Sequence, residues 1–264
     1  MLATGHQPSM TLPNALLLFF AAGIAGTMNS VAGGGSFFSF PALIFTHVPP
    51  IPANATSTVA LWPGSVASAA AYRKRFPTDF RILAEMLATS VVGGTLGALI
   101  LLRTPQSTFL HFVPYLFLLA TLLLIFGKRL ADWVEATFKA SRQPRWLVVA
   151  ASNLFQFLIA LYGGFFGAGI GIMMLALLTM LRMEDIHAMN ALKTLLNAAI
   201  NGAAVVTFIV AGAVLWPQAL VMLVGAVAGG YGGAYFAQKL DPLTVRRFVI
   251  AVGIAMTLYF FLRR

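Results

Sequence analysis

The chain is predicted to be an all-α polytopic membrane protein: two inverted-topology repeats of about five helical segments each, with short glycine-headed helices that are broken or re-entrant. Three observations predict it. Of 264 residues 59% are hydrophobic and only 9% charged, too little charge to clothe a soluble fold, and apolar runs recur along the whole length. Short motifs repeat in two halves at a nearly constant offset. Two apolar segments at matching places in those halves are too short to cross a bilayer.

Ten apolar segments can be drawn, at 12–31, 34–47, 55–72, 82–102, 108–127, 146–166, 169–181, 187–211, 214–238 and 243–262. A span needs about 20 residues, which the second and seventh lack. The first is not read as a signal peptide, because residues 1–11 contain no Lys or Arg. Pro49-Pro50-Ile51-Pro52 follows the second segment and reads as a rigid outer turn, after which Asn54 or Thr56 is positioned to cap the third helix. The chain is expected to form one transmembrane domain, 1–264, divided into repeat 1 (12–127), a cytoplasmic linker (128–145) and repeat 2 (146–264).

The duplication rests on four matches in order. Gly93-Gly94-Thr95-Leu96-Gly97-Ala98 recurs as Gly229-Gly230-Tyr231-Gly232-Gly233-Ala234, and Thr108 and Phe112-Val113 recur as Thr244 and Phe248-Val249, each 136 residues on. Ala32-Gly33-Gly34-Gly35-Ser36 meets Gly167-Ala168-Gly169-Ile170-Gly171, and Ala53 meets Ala188, each 135 residues on.

Basic residues set the orientation. With segments 1–2 and 6–7 each forming a hairpin, crossing twice or re-entering, one side holds thirteen Lys and Arg and the other Arg103, Arg263 and Arg264. The richer side is the cytoplasm and both termini lie outside. An odd number of segments per half makes the two repeats run in opposite senses, a pattern of transporters with a site near the midplane. The net charge of +10 is this loop charge, and no nucleic-acid partner is implied. The chain has no cysteine, its four histidines have no ligand spacing, and neither a metal nor a cofactor is expected.

Lys193 is the one basic residue well inside an apolar segment. With Asn190, Asn197 and Asn201 it is spaced 3, 4 and 4, one stripe on a helix. A cation in hydrocarbon costs at least a few kcal/mol and usually faces a bundle interior or watery cavity; the competing readings are a snorkelling side chain and a structural hydrogen bond. The glycine clusters open the two short segments, where a helix start offers unpaired N–H groups to an anion. Candidate ligands for a small anion are therefore Gly33, Gly34, Gly35 and Ser36 in one half, Gly167, Gly169 and Gly171 in the other, and Lys193, Asn197 and Asn201. Asn29, beside the first cluster, and Thr56 and Ser57, counterparts of the Lys193 segment, complete the set. Gly93, Gly94, Gly97, Gly229, Gly230 and Gly233 read as helix-packing positions. Glu85 reads as interfacial. No catalytic triad, paired carboxylates or phosphate loop is present, so no enzyme activity is expected.

The run Gly26-Thr27-Met28-Asn29-Ser30-Val31-Ala32-Gly33-Gly34-Gly35-Ser36-Phe37-Phe38-Ser39-Phe40-Pro41-Ala42-Leu43 followed by Ala53-Asn54-Ala55-Thr56-Ser57, with Gly163-Gly164-Phe165-Phe166-Gly167-Ala168-Gly169-Ile170-Gly171 followed by Ala188-Met189-Asn190-Ala191, resembles the sulfite exporter TauE/SafE family, also called the toluene-sulfonate uptake permease family. The resemblance covers nearly the whole chain. It implies secondary transport of small sulfur-containing anions such as sulfite, sulfoacetate or other organosulfonates, often outward, across the bacterial inner membrane. The chain departs from it at Leu192-Lys193, where small or hydroxyl residues like Thr56-Ser57 are more usual; an added cation still favours an anion. The alternatives are an anion channel and a carrier for a different small organic solute. Beyond substrate and bilayer, a homodimer is left open as a partner.

Overall fold

In a computed structural model, residues 10–31, 34–73, 80–140, 144–181, 183, 185–237 and 242–263 are described. They form ten α-helices: α1 (Leu12–Val31), α2 (Ser36–Phe45), α3 (Pro50–Ala71), α4 (Phe80–Arg103), α5 (Gln106–Ala140), α6 (Arg145–Phe165), α7 (Ile170–Met180), α8 (Ile186–Val210), α9 (Trp216–Ala237) and α10 (Pro242–Leu262). Six stretches, Leu12–Asn29, Arg81–Arg103, Gln106–Val134, Trp146–Phe165, His187–Val210 and Thr244–Leu262, are long and apolar enough to cross a membrane. The chain is a multi-pass membrane protein. α2 and α7, of 10 and 11 residues, are the two short elements, and their N-caps are Gly35 and Gly169.

Two boundaries differ from the expected ones. α3 starts at Pro50 with Pro49 as its N-cap and no side-chain cap, so Pro50-Ile51-Pro52 is its first turn and not a separate loop. First-turn N–H groups have no intrahelical acceptor, which makes proline cheap there. Asn54 and Thr56 consequently lie beyond the cap and do other work. α5 continues to Ala140, 35 residues or about 52 Å, longer than the ~30 Å hydrocarbon layer. Most of the stretch from 128 is thus an extension of that helix.

The packing partners exchange when α1–α5 are swapped for α6–α10. α1 packs on α9 as α6 packs on α4, α3 on α9 as α8 on α4, and α5 on α7 as α10 on α2. The α4/α6 and α1/α9 contacts are backbone against backbone. A Cβ on Gly97 would run into the Leu161 carbonyl and lie 2.8 Å from the Phe165 amide; one on Gly93 would lie 2.9 Å from the Phe157 carbonyl. Gly225 and Gly229 face the carbonyls of Phe19 and Gly23 in the same way. Residue numbers rise together in both pairs, so α1 and α9 run parallel, as do α4 and α6. Close approach replaces the hydrophobic drive that lipid does not supply. Thr27 Oγ1 adds a hydrogen bond to the Gly229 carbonyl at 2.8 Å. α3 and α8 instead run antiparallel: Trp62 Nε1 donates to the Ala198 carbonyl (2.9 Å), and the Thr56 hydroxyl accepts from the Leu215 amide (3.0 Å) past the end of α8.

Candidate functional site

Between the halves lies a cavity of about 500 Å³ walled by α1, α3, α8, α9 and the starts of α2 and α7. α8 supplies its polar stripe. Asn190, Lys193, Asn197 and Asn201 all line it, as expected for residues one helical turn apart. The Lys193 Nζ donates to Asn190 Oδ1 at 2.8 Å, while Asn201 Nδ2 donates to the Asn197 carbonyl (2.9 Å) and to Asn197 Oδ1 (2.8 Å). Among the described residues Lys193 has no carboxylate within ion-pair distance, so its ammonium meets neutral oxygen in a cavity wall.

The two helix starts meet this stripe. Gly167, Gly169 and Gly171 line the cavity with Ile170, the first residue of α7. Gly167 and Gly169 both have φ of 82°, a left-handed conformation that a side chain would strain, and this lets α6 stop and α7 begin within four residues. Tyr162 holds the turn: its hydroxyl donates to the Ala168 carbonyl at 2.8 Å. A Cβ on Gly171 would lie 3.7 Å from Lys193 Cδ, and nothing nearer is found, so the lysine stem passes directly over the helix start.

In the first half, Asn29, Gly34 and Ser36 line the cavity. Asn29 Oδ1 accepts the Gly35 amide at 2.8 Å, which leaves its side-chain amide N as a donor. Asn29 therefore holds Gly35, the residue before α2, and borders the cavity at once. Gly35 is buried behind this bond and is not among the lining residues. Gly33 lies outside the described residues.

Thr56 and Ser57 are placed elsewhere than expected. Both are buried, at 0% and 3% exposure, and neither lines the cavity. Ser57 Oγ shares a 2.6 Å hydrogen bond with Ser39 Oγ of α2, and Thr56 holds Leu215. The face of α3 that meets the cavity is the neighbouring one: Thr58, Leu61, Trp62, Ser65, Ser68 and then Tyr72. The signal for it was present in the spacing of 58, 62, 65, 68 and 72, a helical stripe of hydroxyls and aromatics. Thr194, beside Lys193, also lines the cavity.

Glu85, Asn153 and Gln156 do not line the cavity. Glu85 pairs with Arg81 at 3.1 Å with both side chains exposed, 38% and 88%, and accepts from Asn153 Nδ2 at 3.2 Å. Gln156 Nε2 donates to Ser90 Oγ at 2.7 Å, joining α4 to α6. Gly93, Gly94, Gly97 and Gly229 pack helices, whereas Gly230 lines the cavity and the surroundings of Gly233 lie outside what is described.

Known proteins similar to the chain are membrane transporters by name. A "Probable membrane transporter protein" of Haemophilus influenzae is 27% identical over 91% of this chain and 92% of its own length. A "Probable membrane transporter protein ORF9" of Sinorhizobium sp is 29% identical over 91% and 90%. The "Probable membrane transporter protein YfcA" of Escherichia coli K12 is 26% identical over 91% and 87%. No solved structure gives a significant match. The family described as "Sulfite exporter TauE/SafE" matches residues 18–260, and the chain, with its ten helices and central polar cavity, belongs to this family of membrane transporters.

Proposed function

We propose that the protein is a secondary transporter that exports small sulfur-containing anions, such as sulfite, sulfoacetate or other organosulfonates, across the bacterial inner membrane. The observation that carries this reading is Lys193, a cation in the wall of a cavity where two helix starts from opposite halves converge. A sulfonate or sulfite group has three oxygens. The Lys193 ammonium, the first amides of α7 at Ile170 and Gly171, the Asn29 amide and the Ser36 hydroxyl are donors of the kind that would bind them. Asn197 and Asn201 extend the polar wall on the same face of α8. With its charge supplied by a lysine, the site favours a small anion over a cation.

The exchange of packing partners between halves, with α3 antiparallel to α8, supports inverted repeats that rock about the cavity to alternate access. Export of an anion is favoured by an inside-negative potential of about 2.3 kcal/mol per charge per 100 mV, so no coupling ion is required. The test is thermal stabilisation of purified protein by sulfite, sulfoacetate, taurine, sulfate, acetate and chloride. Selective stabilisation by sulfite or sulfoacetate supports the reading, since a ligand that binds only the native state must stabilise it. No shift with any anion overturns it in favour of a neutral solute.

A further inference from the structure

We propose that the cavity is open at one end only, and that its other end is a gate: a plug of phenylalanines drawn from both halves, fastened by Asn54 and Thr56. The open end is marked by α3. Its cavity face, Thr58, Trp62, Ser65, Ser68 and Tyr72, runs from the Lys193 stripe to the helix's last turn, where Tyr72 is 36% exposed. This row is a polar path down one side of a single helix to the surface that the charge distribution assigns to the cytoplasm.

In the opposite direction along α3 the chain is closed. Phe40 of α2 lies with its ring 5.9–6.2 Å from those of Phe109, Phe117, Phe166 and Phe260. Phe117 in turn is 5.5 Å from Phe166 and 5.4 Å from Phe260. The five are between 0% and 6% exposed. Phe166 also lines the cavity, so the plug is its ceiling. Phe109 and Phe260 lie near the start of α5 and the end of α10, and the Ile51 amide of α3 donates to Gln106 at the same level, which puts the plug at the Pro50 end of α3. An anion crossing such a stack would lose its water with no polar group to replace it, and apolar constrictions close pathways on that ground.

Three of the rings come from the first half and two, Phe166 and Phe260, from the second. The halves cannot separate at this end without parting the plug. Two hydrogen bonds span the same seam: Asn54 Nδ2 to the Phe165 carbonyl at 3.2 Å and the Leu215 amide to Thr56 Oγ1 at 3.0 Å. Both start from the first turns of α3 and end on the second half. Thr56 therefore belongs to the gate and not to the anion's ligands, which explains a buried hydroxyl that the cavity does not use.

The chain has no cysteine, so single cysteines report access without a background. Thr58→Cys and Ser68→Cys would be labelled with a membrane-impermeant thiol reagent in right-side-out and inside-out vesicles, with no substrate present. Both are expected to react at least about tenfold faster from one face than from the other, the reverse state holding roughly 0.1–10% of molecules. Adding Thr56→Val or Phe117→Ala to Thr58→Cys is expected to raise the slow-face rate severalfold, whereas Thr56→Ser leaves it unchanged. Equal labelling from both faces, or a Thr56→Val rate equal to that of the parent on the slow face, overturns the gate. Thr56→Val serves if Phe117→Ala fails to fold. No anion enters the experiment, so its failure is distinct from a failure of the substrate assignment.

Discussion

Lys193→Met removes the charge while keeping an unbranched stem over Gly171. The lysine's polar partner in the absence of ligand is Asn190 Oδ1 at 2.8 Å, and Asn190 borders the cavity, where water can take the place of the ammonium. Loss of one hydrogen bond from a charged donor to the anion is worth about 1.5–3 kcal/mol, or roughly 10- to 150-fold in Kd. The unliganded protein should gain or hold its stability, because a cation removed from a low-dielectric wall no longer carries its desolvation cost. Titration of purified protein with sulfoacetate separates these effects. At a concentration 100 times the wild-type Kd, binding stabilises wild type by about 2.7 kcal/mol, and a variant weakened 100-fold by only about 0.4 kcal/mol. An unaltered ligand shift in Lys193→Met would refute the site. A fall of several degrees in the unliganded Tm would instead make Lys193 a structural residue.

Other substitutions test neighbouring assignments. Ser57→Ala should cost about 1 kcal/mol of stability through the Ser39 bond and leave ligand affinity as it was; weakened binding with wild-type Tm would return Ser57 to the site. Gly97→Ala places a Cβ on the Leu161 carbonyl and should lower stability by about 1–3 kcal/mol, as overpacking does, read as a lower Tm without ligand. Gly169→Ala meets nothing nearer than 3.4 Å, so its cost is the strain of φ at 82°, on the order of 1–2 kcal/mol; a neutral result would show that the turn can relax.

Lipid makes the fold legible in the sequence. A helix in hydrocarbon must satisfy its own backbone, so apolar runs mark the helices, and the ten observed follow the ten segments drawn. The brevity of α2 and α7, and the glycines that head them, are visible for the same reason. The stripe Asn190, Lys193, Asn197 and Asn201 is legible because polar residues at helical spacing in an apolar segment need a common polar face. The start of α3 is not, because three prolines suit a turn and a helical first turn equally. Nor is the rotation of α3: hydroxyls at consecutive positions 56, 57 and 58 point three ways, and only the neighbours of Thr58 in space put that one on the cavity. The phenylalanine plug assembles residues from α2, α5, α10 and the turn after α6. Its members are ordinary apolar positions until tertiary packing joins them.

Solute counterflow in proteoliposomes tests the transport of sulfur-containing anions most directly. Vesicles loaded with unlabelled sulfoacetate and diluted into a trace of the labelled anion should accumulate label transiently and saturably, and vesicles carrying Lys193→Met should not. Absence of counterflow with sulfite and with every organosulfonate tried, or flux that rises linearly with concentration and ignores Lys193→Met, would contradict a carrier for these anions.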